Sequence, residues 1–193
     1  MKKDRCEQCA QPTASYDAIH YGSVEGGYRL LCTQCFNAEV AKCSGVTDFE
    51  NVRLEPIRMI DCGGAAHQFH FQMRLLGTML VLDAFEIQDG FRAGYESRII
   101  GKPEDDVLAL LGRLVEKMRR ALAVKYLAIN GSEFQIRDQT VRGLISSDPA
   151  GPGDVPVVVV DGREIGWDDF GRMLAAFEGW QFRLEIRDLA DDV

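Results

Sequence analysis

Two Cys-x-x-Cys pairs, Cys6/Cys9 and Cys32/Cys35, are the residues of this chain best suited to chemistry. Residues 10–31 separate them, a spacing close to that of structural zinc sites. Zinc takes four soft ligands in a tetrahedron, and two short cysteine hooks supply them. Four cysteines close the coordination shell, whereas catalytic zinc keeps a position open for water. The expectation is therefore one structural Zn²⁺ held by Cys6, Cys9, Cys32 and Cys35. A rubredoxin-like iron site and a redox dithiol fit less well, because two matched pairs suit a redox-inert metal better than one reactive pair.

The elements around the hooks must place four sulfurs together. Residues 14–21 read as a strand, 22–27 as a glycine-rich turn, and Tyr28–Leu31 as a returning strand that ends on Cys32. Phe36, Val40 and Cys43 then fall at i, i+4 and i+7, the apolar face of a short helix on which Cys43 is a buried small hydrophobe. Hook, hairpin, hook, helix is the plan of a treble-clef finger, with a zinc ribbon as the close alternative. A module of this size buries too little apolar surface to fold securely alone, so the metal supplies folding free energy.

The remaining chemistry is sparse. Cys62 precedes His67 in a glycine-containing stretch, a pairing too short to specify a nucleophile. His67 and His70 lie on opposite sides of a strand, so they do not form a metal pair, and strand parity turns His67 toward the core. His20 lies in the hairpin. Asp105/Asp106 and Asp168/Asp169 sit where helices begin, and capping explains them. No phosphate-cradling loop, dinucleotide fingerprint or nucleophile elbow is present in the sequence. These observations favour a non-enzymatic protein.

Residues 49–193 read as an α+β domain following the 1–48 zinc module. Alternation marks strands over Phe69–Leu75, Thr78–Ile87 and Phe91–Ile100, joined at Gly77 and at Gln88-Asp89-Gly90. Lys102-Pro103 opens a long helix with an apolar stripe of Val107, Leu111, Leu114, Met118 and Leu122. Its solvent side carries Arg113, Lys117 and Arg120, the best candidate contact for an anionic partner, with Glu116 and Arg120 spaced as an ion pair. Short strands follow near Phe134–Arg137 and Thr140–Ser146, then a loop over 148–154 and a buried strand Val157–Val160. A helix from Trp167 to Glu178 buries Phe170, Met173, Leu174 and Phe177 and stops at Gly179. The strictly alternating Trp180–Arg187 reads as a last strand, with Trp180, Phe182, Leu184 and Ile186 facing the core. Runs of strands broken by two helices point to a mostly antiparallel sheet.

Charge narrows the function. The net charge is -8. By region it is -1 over residues 1–58, 0 over 59–130 and -7 over 131–193. Four thiolates on one Zn²⁺ add to the negative charge, which Lys2, Lys3 and Arg5 partly offset. Sustained phosphate contact needs a positive surface, so the last third is a poor nucleic-acid binder. The first residues have no apolar run after their charges, and no stretch is long enough for a membrane span, which together suggest a reducing cytoplasm.

Two blocks carry a resemblance. Cys6-x-x-Cys9, His20-Tyr21-Gly22-Ser23 and Leu31-Cys32-x-x-Cys35-Phe36-Asn37 form the first. Val159–Gly171 with Phe177–Phe182 forms the second. Together they resemble an uncharacterised bacterial family with an N-terminal four-cysteine zinc finger and a C-terminal α+β domain. The resemblance implies zinc and the domain plan and no activity. The expected function is a protein-interaction or regulatory adaptor that captures a protein partner or self-associates. Trp167, Trp180 and strand 180–187 are its candidate contacts, although core packing explains both tryptophans more simply. The alternatives are a nucleic-acid-binding regulator and an enzyme or enzyme subunit.

Overall fold

The structure, a computed structural model, describes residues 4–131, 133–147 and 155–191. Lys2, Lys3 and the 148–154 loop lie outside them. The N-terminal region opens with β1 (Asp4–Arg5) and β2 (Pro12–Thr13), which pair antiparallel around the first hook. The hairpin β3 (Ala18–Ser23) and β4 (Gly27–Cys32) leads into α1 (Thr33–Ser44).

A four-stranded meander follows, in the order β5 (Ile57–Ile60), β6 (Ala66–Leu76), β7 (Met79–Gln88) and β8 (Phe91–Gly101). The Asp89-Gly90 turn has both residues at positive φ, as the tight hairpin requires. One face packs on α2 (Val107–Leu122). Phe69, Met73, Leu82 and Ile99 meet Leu110, Leu114 and Met118 in one core. Leu110 takes the fully buried place expected for Leu111, which is only partly buried. The helix also starts later than Pro103. Asp106 caps it, its carboxylate accepting from the N–H groups of Leu108 and Ala109, and Lys102–Asp105 form a preceding turn.

Alternation predicts strands buried on one side, yet β7 is buried on both. Leu80, Leu82 and Ala84 face α2, while Asp83 and Phe85, both 0% exposed, lie on the other side. The N-terminal region covers that side: the Tyr16 ring packs on Phe85 and His70, and Gln72 donates to the Thr33 hydroxyl and the Tyr16 carbonyl. Asp83 is held there by Arg74, Arg92 and Arg98 at 2.7, 3.4 and 2.6 Å. Burial disfavours its charge, but the Arg98 hydrogen bond and the three guanidinium charges prevail and hold its pKa below the ordinary value.

The C-terminal part contains the hairpin β9 (Leu127–Asn130) and β10 (Glu133–Ile136). A three-stranded antiparallel sheet follows, in the order β11 (Leu144–Ser147), β12 (Pro156–Val160) and β13 (Arg163–Gly166). Then comes α3 (Trp167–Ala175). The strands thus form separate small sheets rather than one, and every pairing is antiparallel among the described residues. Of the side chains expected to be buried by α3, only Met173 is; Leu174 is 47% exposed.

The last expected strand does not form. Residues 180–188 adopt neither helix nor ladder, and Phe182, Leu184 and Ile186 are 89%, 73% and 72% exposed. Trp167 and Trp180 are exposed rather than core residues. The physical reason lies at both ends of the segment. Gly179, at φ 84°, turns the chain off the end of α3, and Lys117 holds the carbonyls of Leu189 and Asp191 at 2.7 and 2.6 Å. Alternation reports a strand with one apolar side and says nothing about which surface will cover it.

Candidate metal centre

The first hook is a tight turn closed by Ala10 N–H to the Cys6 carbonyl and Cys6 N–H to the Gln11 carbonyl. Glu7 ties it to the hairpin twice. Its N–H donates to the Leu30 carbonyl, and its carboxylate accepts the Leu30 N–H. The second hook begins at Cys32, the N-cap of α1, and Cys35 lies in the first helical turn, where the helix dipole favours negative charge.

These elements bring one sulfur from each of Cys6, Cys9, Cys32 and Cys35 to within 4.8 Å of one another. The Cys9–Cys32 separation is 3.9 Å. A tetrahedron with metal–sulfur bonds of about 2.3 Å has edges of about 3.8 Å, so the cluster has the dimensions a metal ion needs. Cys6 and Cys32 are buried, Cys35 half-buried and Cys9 exposed. As thiols the four compete. Burial raises Cys6, yet N–H groups of Cys9, Cys32 and Gln8 bring its pKa down to about 6. Burial, then the neighbouring sulfurs, push Cys35 far up, and burial also raises Cys32. Four thiolates this close repel one another unless a cation sits between them. Four cysteines in this arrangement can therefore bind a metal ion. His20 is exposed and is not among the clustered ligands.

The cluster rests on the meander. Leu31, Phe36 and Val40 pack with Leu75 of β6. Asn37, 1% exposed, donates to the Met73 carbonyl at 2.7 Å and accepts the Leu75 N–H at 2.8 Å. The reason is register. β5 pairs with β6 only over Ala66–Phe69, so the β6 edge beyond it lacks a strand neighbour. The Asn37 carboxamide fills that edge as a peptide group would. Asn51 completes the joint through Asn37 and the Gln34 carbonyl.

Cys43 is exposed, with only the Tyr21 hydroxyl at 4.0 Å, because the buried stripe of α1 is Thr33, Phe36, Asn37 and Val40. Cys62 is also exposed and gains no nucleophile partner from His67, whose two nitrogens both face carboxylates. His70 lies on the opposite side of β6, against Phe85. Arg113, Lys117 and Arg120 share α2, but Lys117 spends its ammonium on the carbonyls of Arg98, Leu189 and Asp191. Glu116 pairs with Arg119.

A second polar cluster was missed by sequence reasoning. His67 Nε2 lies 3.1 Å from Asp61 and Nδ1 2.9 Å from Glu86. Both acceptors are carboxylates, so both bonds form together only when each ring nitrogen carries a proton. Asp61, whose side chain is 2% exposed, also takes Lys125 Nζ at 2.7 Å and the N–H groups of Gly63 and Ala65. The Lys125 bond is the largest effect holding the Asp61 carboxyl far below the usual range, against its burial. Lys125 also donates to Tyr95. A bulge in β8, with Gly94 at φ 68°, turns Tyr95 N–H onto Glu86. Asp61, His67, Glu86 and Lys125 line a cleft of about 670 Å³ between the meander and the β12–β13 turn. The only sequence signal was Asp61 before two glycines; Lys125 joins it across 63 intervening positions.

Three domain families match the chain in succession. Residues 5–47 match DUF7685, residues 50–123 DUF7686 and residues 124–191 DUF7713. All three are domains of unknown function. No curated protein and no solved structure matches the chain. Among the described residues, no helix is long and apolar enough to cross a membrane.

Proposed function

We propose that the chain is a non-enzymatic zinc protein, an adaptor whose four-cysteine module is a treble-clef finger presenting a rigid surface to a protein partner. The observation that carries the reading is the cluster of four sulfurs. It has tetrahedral dimensions, it is made of thiols alone, and it leaves no ligand position for water. Zinc is the metal of choice for such a set, and it contributes on the order of 10–16 kcal/mol to folding in small fingers. The hook at the start of α1, following a hairpin, supports the treble-clef arrangement. Exposed apolar side chains on α3 and beyond support an interaction role.

Native mass spectrometry on protein purified without chelator or added metal tests the metal. The expected mass exceeds that of the chain by one zinc, and chelation removes both the zinc and the finger's fold. A metal-free but folded chain would overturn the reading. The surface role is tested by partner capture with the intact chain and with a Cys35→Ser variant, which is expected to lose capture.

One observation favours a second reading, an enzyme. The His67 cluster borders a cleft and contains a histidine, two carboxylates, a lysine and a tyrosine. Against it, both His67 nitrogens and the Lys125 ammonium are already bonded within the cluster. A catalytic role would need one of those bonds to open, and a Glu86→Gln variant with unchanged fold and unchanged partner capture would leave the adaptor reading in place.

A further inference from the structure

Residues 180–188, Trp-Gln-Phe-Arg-Leu-Glu-Ile-Arg-Asp, alternate apolar and polar and yet leave every apolar side chain in solvent. Among the described residues, no backbone hydrogen bond reaches positions 181–187. Natural proteins cover or blunt such segments, because unpaired N–H and C=O groups beside an apolar stripe recruit another strand. The segment is tethered at both ends. Trp180 N–H bonds to the Phe177 carbonyl, and Lys117 holds Leu189 and Asp191. A strand held at both ends loses little entropy on pairing.

The order of its charges says what it pairs with. Arg183 and Arg187 both reach Glu185, so the three charges share one side, as strand periodicity requires. In an antiparallel pair of two identical strands, one register sets Leu184 opposite Leu184. It places Phe182 opposite Ile186 and Arg183 opposite Glu185, twice each by symmetry. The registers two residues away set Arg183 against itself, or Glu185 against itself and Arg183 against Arg187. Like charges directly opposite are unfavourable. The register centred on Ile186 also opposes Glu185 and Arg187, but it sets Leu184 against Asp188 and overlaps only residues 184–188, so the Leu184 register is the one that matches unlike charges over the whole segment, the property a two-fold interface needs.

We propose that residues 180–188 pair antiparallel with the same residues of a second copy of this chain, with Leu184 on the two-fold axis. The inference rests on the protein-interaction reading and names one partner for it. The four apolar side chains of the segment expose on the order of 500 Å² per chain. A standard interface takes about 800 Å² per partner. The exposed Trp167 and Leu174, on the helix that leads into the segment, supply further apolar surface.

The test is sedimentation velocity and light scattering on the full, zinc-loaded chain across the micromolar range. The expected species has twice the 21.5 kDa chain mass. Leu184→Glu, which sets two carboxylates together on the axis, is expected to give a monomer with an unchanged circular dichroism spectrum. Arg183→Glu sets like charges opposite one another twice and is expected to weaken the dimer about 10-fold, and adding Glu185→Arg restores it. A monomer at every concentration, or a dimer indifferent to Leu184→Glu, overturns the proposal. Failure of the double variant to restore the dimer overturns the register. The adaptor reading is read separately: capture of a partner that survives Leu184→Glu and is lost with Cys35→Ser sinks neither, whereas a chain that stays folded with no zinc bound sinks the finger reading alone.

Discussion

Asn37 is where the four-cysteine region joins the meander, and replacing it with alanine isolates that joint. The carboxamide satisfies two buried backbone groups of β6, the Met73 carbonyl and the Leu75 N–H, and takes part in a third bond to Asn51. A buried polar group left without a partner costs about 1–3 kcal/mol. Two such groups make the expected loss for Asn37→Ala about 2–6 kcal/mol. In a chain of this length each kcal/mol moves Tm by about 2–4 °C, so the melting point should fall by roughly 4–24 °C. Asn37→Asp keeps an acceptor for Leu75 but sets a carboxylate against the Met73 carbonyl, and should be no more stable than the alanine variant. Asn51→Ala removes one partly buried partner and should cost only about 1 kcal/mol. Denaturant unfolding of the protein as purified, without chelator, measures the loss. Hydrogen exchange at the Leu75 amide shows where it occurs, because that N–H should lose most of its protection. A loss below about 1 kcal/mol, with the Leu75 amide still protected, would refute the view that a side chain stands in for a strand here.

Chelation should unfold the finger and also destabilise the meander, since Leu75 packs with Leu31, Phe36 and Val40; exchange of β6 amides before and after chelator checks it. Asp61 and Asp83 both titrate below the usual 3.8 in the folded chain, so their stabilisation is full above that pH and is lost on acidification toward their folded values. Asp61→Asn strands Lys125 and His67, should cost about 3 kcal/mol at neutral pH, and should flatten the acid limb of a stability–pH curve. Leu114, 0% exposed at the centre of the α2 stripe, should cost about 2–5 kcal/mol as Leu114→Ala in the same unfolding assay.

Local chemistry was open to sequence reading. Cysteine spacing named the four clustered thiols, because short hooks leave few ways to arrange sulfur. Period-two alternation located β6, β7 and β8, and Asp89-Gly90 named its turn, because both depend on neighbours a few positions apart. Where reading went astray, the deciding partner was far away in the chain. Pro103 looked like a helix start until Asp106 was seen to hold the cap, and the apolar face of α1 stopped at Val40 because β6 lies there and not beside Cys43.

By itself, then, the sequence determined the set of clustered cysteines, the main strands and the amphipathic α2. Each follows from residue type and short spacing acting through local geometry. Only the tertiary structure decided three things. The N-terminal region covers the second face of the meander, so that Asp83 and Phe85 are buried where alternation predicts solvent. Asp61, His67, Glu86 and Lys125 meet in one cluster, although no local pattern joins them. Residues 180–188 keep the pattern of a strand without finding a sheet within the described chain. Burial and ion pairing depend on which surfaces meet in space, and periodicity fixes only which side of an element is ready to meet one.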